Sequence, residues 1–114
     1  MDELMLIDYT EKDNYLILYL QGRMDVKNSS DIESDINALI HQNPNLGILL
    51  NLEKVEYMSS SGLRLFVSIM RTLKEQNRNF RLCNLSQAVI KIFEVVELMD
   101  MFSIYKHEED ALKN

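Results

Sequence analysis

Four short apolar runs after the first one are each followed by a polar or amphipathic stretch, and this alternation constrains the fold more than any other feature. "LMLIDY" and "YLILYLQG" are rich in strand formers and are separated by the polar segment "TEKDN", so they read as two antiparallel strands of a hairpin, the second ending at Gly22. "NSSDIESDINALIHQNP" carries helix signals: Ser30 and Glu33 at capping-box spacing, and a stripe of Ile32, Ile36, Leu39 and Ile40, with Pro44 and Asn45 as the stop. "GILLNL" is the compact apolar run of a central strand covered on both faces. Next, Leu63, Phe66, Val67, Met70 and Leu73 recur at helical spacing, with Arg64, Ser68, Arg71 and Glu75 opposite, which predicts an amphipathic helix of about four turns. "FRLCNL" is a further strand. Ser86 caps a helix with a stripe of Val89, Ile92, Phe93 and Val96; "FSIY" is a last strand and "EEDALK" a last helical turn or two. The order ββαβαβαβα implies an α/β fold with about four helices, in which a mixed, mostly parallel sheet carries an antiparallel hairpin at its N-terminal edge.

The 114 residues are expected to form a single domain, residues 1–114, large enough to bury a core without a disulfide or a metal. Apolar residues at 46% and charged residues at 26% are those of a globular protein. A net charge of −6 argues against nucleic acid and anionic lipid as partners. No apolar run is long enough to span a membrane, no signal pattern opens the chain, and the single cysteine forms no internal disulfide. The expected location is therefore the cytoplasm, and no long exposed apolar stripe demands more than a monomer.

The chemistry concentrates in "VEYMSSSGLRLF", where three serines stand between an apolar run and a helix start. In sheets of this kind, sites tend to lie beyond the carboxyl ends of the strands. Ser59 to Ser61 should sit there, with Gly22 to Asp25 as candidate neighbours. A hydrolase elbow would need G-x-S-x-G and a histidine base; here the first glycine is missing, His41 suits a helix C-terminus, and His107 lies in the tail. Cys83, His41 and His107 lack metal-ligand spacing, and the three glycines are too scattered for a phosphate loop, so neither metal nor cofactor is expected. Cys83 reads as a small buried hydrophobe. Two readings of the serines remain. Any one of Ser59, Ser60 and Ser61 could cap the helix. Alternatively, one of them takes a phosphate, which a helix N-terminus tolerates and a docked partner does not.

"LNLEKVEYMSSSGLRLF" resembles the signature of anti-sigma factor antagonists, the bacterial STAS-domain proteins: an apolar strand, several residues, then [D/S]-S-S-G-L opening a helix. "LQGRMD" resembles the family's loop after its second strand, and "LCNLSQAVIKIFEVVELMDMFSIY" its C-terminal third. The resemblance implies a STAS-like fold and a binding module rather than an enzyme. Its partners would be an anti-sigma factor serine kinase, whose capture frees a sigma factor for transcription, and a protein serine phosphatase that restores the active form. It implies Ser60 as the phosphoacceptor, with Ser61 and Gly62 as the next motif positions and Asp25 as the loop aspartate near the acceptor. Asp25 reads equally as a cap before the first helix. Where many members carry Asp, this chain has Ser59, which removes a charge beside the acceptor and offers a second candidate acceptor. The expected docking surface comprises Arg23, Met24, Asp25, Met58, Ser59, Ser60, Ser61, Gly62 and Arg64. Met24 and Met58 read otherwise as core. Two rivals are a STAS scaffold subunit of a signalling or transport complex without a phosphate switch, and a small serine hydrolase.

Overall fold

A computed structural model describes residues 6–113; Leu4 and Met5, in the first apolar run, lie outside the described residues. The elements are β1 (Leu6–Lys12), β2 (Tyr15–Met24), α1 (Ser29–Gln42), β3 (Gly47–Met58), α2 (Ser60–Glu75), β4 (Phe80–Cys83), α3 (Gln87–Val95), a 3-10 turn (Met99–Met101), β5 (Ser103–Tyr105) and α4 (Glu108–Lys113). The five strands lie in the order β1-β2-β3-β4-β5, the first pair antiparallel and the others parallel. This is the predicted element order. The hairpin is tighter than expected: Thr10, Glu11 and Lys12 belong to β1, and the turn is Asp13–Asn14 alone, both at positive φ (53° and 69°). Such a two-residue turn matches the right-handed twist of its flanking strands.

Consecutive strands joined by right-handed crossovers place α1, α2 and α3 on one face of the sheet. Ile32, Ile36 and Ile40 from α1, Leu63, Phe66, Ile69 and Leu73 from α2, and Val89 and Phe93 from α3 pack there. They meet the alternate strand residues Leu16, Leu18, Leu20, Ile48, Leu50, Leu52 and Leu82. The opposite parity of the strands, Tyr15, Ile17, Leu49 and Cys83, forms a smaller cluster under Ala111 of α4. α4 is tied down at both ends: Asn51 Nδ2 donates to Glu108 Oε1 (3.1 Å), and Arg81 Nη1 donates to the Ala111 carbonyl (2.6 Å).

Several local expectations are corrected. Gly22 does not end β2; it sits at φ +110°, next to a register irregularity, and the strand continues to Met24. Only glycine adopts that φ cheaply. Ser30 does not cap α1: it is an exposed residue inside the helix, and Glu33 instead accepts a hydrogen bond from the Ser68 hydroxyl of α2 (3.0 Å). Asn43 ends α1 ahead of Pro44, its side-chain amide donating to the Leu39 carbonyl (2.9 Å). On α2, Leu65 and Ile69 are fully buried whereas Val67 and Met70 are half-buried, because the helix packs against α1 as well as the sheet. Val96 lies past the end of α3 and is exposed.

Candidate functional site

The pairing of β2 with β3 assembles the candidate site. Met24 and Met58, the last residues of the two strands, are register partners, and the Ser59 amide donates to the Met24 carbonyl (2.8 Å). The loop after β2 and the serine cluster after β3 therefore lie side by side. β3 advances by more residues than β2 over this stretch, with irregularities between Tyr19 and Gln21 and between Gly22 and Arg23, so local distortion sets where the two strands finish together.

The three serines have different surroundings. Ser59 is the N-cap of α2, in extended conformation (φ −91°, ψ 174°) and only 9% exposed. Its Oγ accepts from the Ser61 amide (3.2 Å), and its carbonyl accepts from the amides of Gly62 (3.0 Å) and Leu63 (3.3 Å). Ser60, the first residue of the helix, is exposed, and among the described residues its hydroxyl has no hydrogen-bond partner. Ser61 is half-buried at the rim of a shallow depression of 370 Å³ between the N-terminal turns of α1 and α2. Of the three candidate caps, the geometry selects Ser59. Gly62 is buried where the helix passes closest to the strand ends: a Cβ there would stand 2.9 Å from Met58 Cγ and 3.4 Å from Met24 Cβ.

The loop after β2 is closed by a reciprocal pair. The Asp25 amide donates to Asn28 Oδ1 (3.0 Å), and the Asn28 amide donates to Asp25 Oδ1 (3.0 Å). Asn28 Nδ2 reaches the Arg23 carbonyl (2.8 Å), and the Ser29 hydroxyl donates to the Asp25 carbonyl (2.5 Å). Asp25 thus does close the turn before the first helix, with one carboxylate oxygen committed to it. Arg23 and Tyr57, register partners, stack with the guanidinium 4.4 Å from the ring centroid. That geometry favours a cation–π contact.

Met24 (0% exposed) and Met58 (3%) are core residues and present no side chain to a partner; the docking surface expected of them is corrected to a supporting floor. Ser59 and Gly62 are likewise buried. Arg23, Ser60 and Arg64 are exposed, with Asp25 and Ser61 partly so. Arg64 makes no ion pair or hydrogen bond among the described residues. Sequence reasoning missed two rim residues, Tyr57 (41% exposed) and Val26 (72%). Tyr57 becomes visible only through its cross-strand pairing with Arg23; Val26, an apolar residue in a polar loop, carried the one available signal.

Other chemistry lies elsewhere. Cys83 is buried, and burial first, then the nearby Glu108 and Glu53 carboxylates, push its thiol up to about 12, so it is neutral at physiological pH. Burial, followed by the hydrogen bond to Glu108, pushes Tyr19 up to about 12 on the same face. His41 is in the last turn of α1, and His107 lines a cleft with Asn84, Ile90 and Tyr105 at the ends of β4 and β5. Neither histidine hydrogen-bonds a serine of the cluster. Among the described residues, no three His, Cys, Asp or Glu side chains group as metal ligands, and no helix is long and apolar enough to cross a membrane.

The STAS-domain family model matches residues 7–111. The anti-sigma-B factor antagonist of Bacillus subtilis (strain 168) is 28% identical over 107 residues, spanning 94% of this chain and 96% of that one. The solved structure of the anti-sigma factor antagonist SpoIIAA in its unphosphorylated form superposes with a TM-score of 0.75 at 26% identity, covering 94% of this chain and 93% of that chain. The phosphorylated form of SpoIIAA, described as a Bacillus cell fate determinant, superposes with a TM-score of 0.68 at 25% identity over 94% and 96% of the two chains.

Proposed function

This chain belongs to the STAS-domain family, and on that premise we propose that it is an anti-sigma factor antagonist switched by phosphate on Ser60. In the unmodified state it binds an anti-sigma factor that is also a serine kinase, and a sigma factor is thereby freed to direct transcription. The kinase phosphorylates Ser60, the complex separates, and a protein serine phosphatase resets the cycle. The chain acts in this scheme by binding; it accepts phosphate and catalyses nothing. Relatives named as antagonists along nearly the whole chain, one of them solved both with and without phosphate, support this assignment.

The observation that carries the choice of Ser60 is the division of labour among the serines. Ser59 spends its hydroxyl on the α2 cap and is 9% exposed, whereas Ser60 is exposed with an unengaged hydroxyl. A kinase must reach the hydroxyl oxygen, and Ser60 offers it without breaking the cap. The docking surface we assign comprises Arg23, Asp25, Ser60, Ser61 and Arg64, extended by Val26 and Tyr57. Adding about two negative charges within contact distance of a partner acid costs on the order of 3 kcal/mol, more than a hundredfold in affinity.

The test is phosphopeptide mass spectrometry after incubation with the candidate kinase and ATP, paired with calorimetry. Phosphate is expected on Ser60 and is absent from Ser60→Ala, which still binds the kinase. Ser60→Asp is expected to bind at least tenfold more weakly. Equal affinity of Ser60→Asp and the wild type, or phosphate confined to Ser59, would overturn the assignment.

A further inference from the structure

We infer that Arg64 is the internal receptor of a phosphate on Ser60, drawing the modified side chain back along its own helix. The inference rests on the reading of Ser60 as the acceptor. Ser60 and Arg64 both lie within α2, four residues apart, so their side chains occupy the same strip of helix surface on successive turns, with Cβ atoms about 6 Å apart. Helical side chains lean toward the N-terminus, which carries the long Arg64 side chain toward Ser60 rather than away from it.

Both groups are exposed and uncommitted among the described residues, the hydroxyl without a hydrogen bond and the guanidinium without a carboxylate, a carbonyl or a ring. The neighbouring arginine is already engaged: Arg23 lies over Tyr57. Nor do the nearby acids hold Arg64. Glu33 of α1 lines the same depression, yet it accepts from Ser68 and forms no ion pair with Arg64. Asp25 accepts from the Asn28 amide. A phosphate dianion offers a planar, forked guanidinium two oxygens at once, a stronger partner than any of these.

Phosphorylation then changes the docking surface twice over. It adds charge at Ser60, and it withdraws Arg64 from whatever acid on the partner it met before. Arg64 is a positioning residue in this scheme, acting through the phosphate that it holds.

The experiment installs phosphoserine at position 60 of the full chain by genetic encoding and follows the phosphate by 31P NMR across pH. A neighbouring cation favours the charged form, so Arg64 lowers the pH at which the second proton leaves. Arg64→Gln is expected to raise that midpoint by roughly 0.3 unit or more, about twofold in proton affinity, and Arg64→Lys to recover part of the difference. Arg71→Gln, which removes the same charge farther along α2, is expected to leave it unchanged. Coincident titrations of the wild type and Arg64→Gln, or an equal shift from Arg71→Gln, would overturn the inference. The phosphate is introduced without a kinase, so the two readings fail separately: an Arg64-dependent midpoint in a protein that no kinase labels would discard the switch and keep the pairing.

Discussion

The two helices that begin side by side at the carboxyl ends of β2 and β3 do so in different ways. α1 is entered through a closed polar knot: Asp25 and Asn28 exchange backbone-to-side-chain hydrogen bonds, Asn28 also holds the Arg23 carbonyl, and Ser29 returns its hydroxyl to Asp25. α2 is entered through three serines of which one caps, one lies half-buried and one leaves its hydroxyl in solvent. The first entry holds the loop in place. The second holds its helix through the Ser59 cap and leaves the Ser60 hydroxyl without a hydrogen bond among the described residues. The comparison teaches that polar residues at a strand end are not equivalent: the proposed phosphate goes to the residue the fold does not use.

That contrast can be broken by substitution. The largest effect is expected from Asn28→Ala, which leaves the Asp25 amide and the Arg23 carbonyl without their partners; two such bonds are worth about 2 kcal/mol, read as a lowered midpoint in urea unfolding. A smaller loss, about 1 kcal/mol, is expected from Ser59→Ala, because one orphan amide of α2 loses its acceptor. The smallest belongs to Ser60→Ala, within about 0.5 kcal/mol of the wild type, since the removed hydroxyl is exposed and makes no hydrogen bond among the described residues. Should Ser60→Ala destabilise as much as Ser59→Ala, the division of labour between the two serines would be wrong. In kinase binding the two positions are expected to exchange importance: charge at position 60 should weaken the proposed complex although it barely touches the fold, which calorimetry of Ser60→Asp against Ser59→Ala checks.

Much of the fold was legible because period and run length survive without tertiary information. "YLILYL" and "GILLNL" are too apolar for anything but interior strands, and both supply residues to the two faces of the sheet. Ser86 caps α3 as its sequence context predicts, its Oγ accepting from the Val89 amide (3.3 Å). What failed was local polar bookkeeping. Ser30 and Glu33 have capping-box spacing, but Asp25 and Asn28, equally spaced and five residues earlier, form the actual entry, and Glu33 is drawn away to Ser68 on α2. Nothing in the spacing ranks one such pair above the other. The choice follows from where β2 ends, which Gly22 and its pairing with β3 determine.

The site divides in the same way. The sequence by itself determined that a serine cluster would open a helix after a buried strand and that the architecture was an α/β sheet, and it offered the loop after the second strand as a candidate neighbour. Those conclusions need only hydrophobic period, turn chemistry and crossover topology. Only the tertiary structure decided which serine caps and which is free, that Met24 and Met58 are floor rather than surface, and that Tyr57 stands under Arg23. The physical reason is that burial and hydrogen-bond commitment are properties of pairs brought together across strands. Met24 meets Met58, and Ser59 meets the Met24 carbonyl, only after the intervening chain has folded into a helix and a strand.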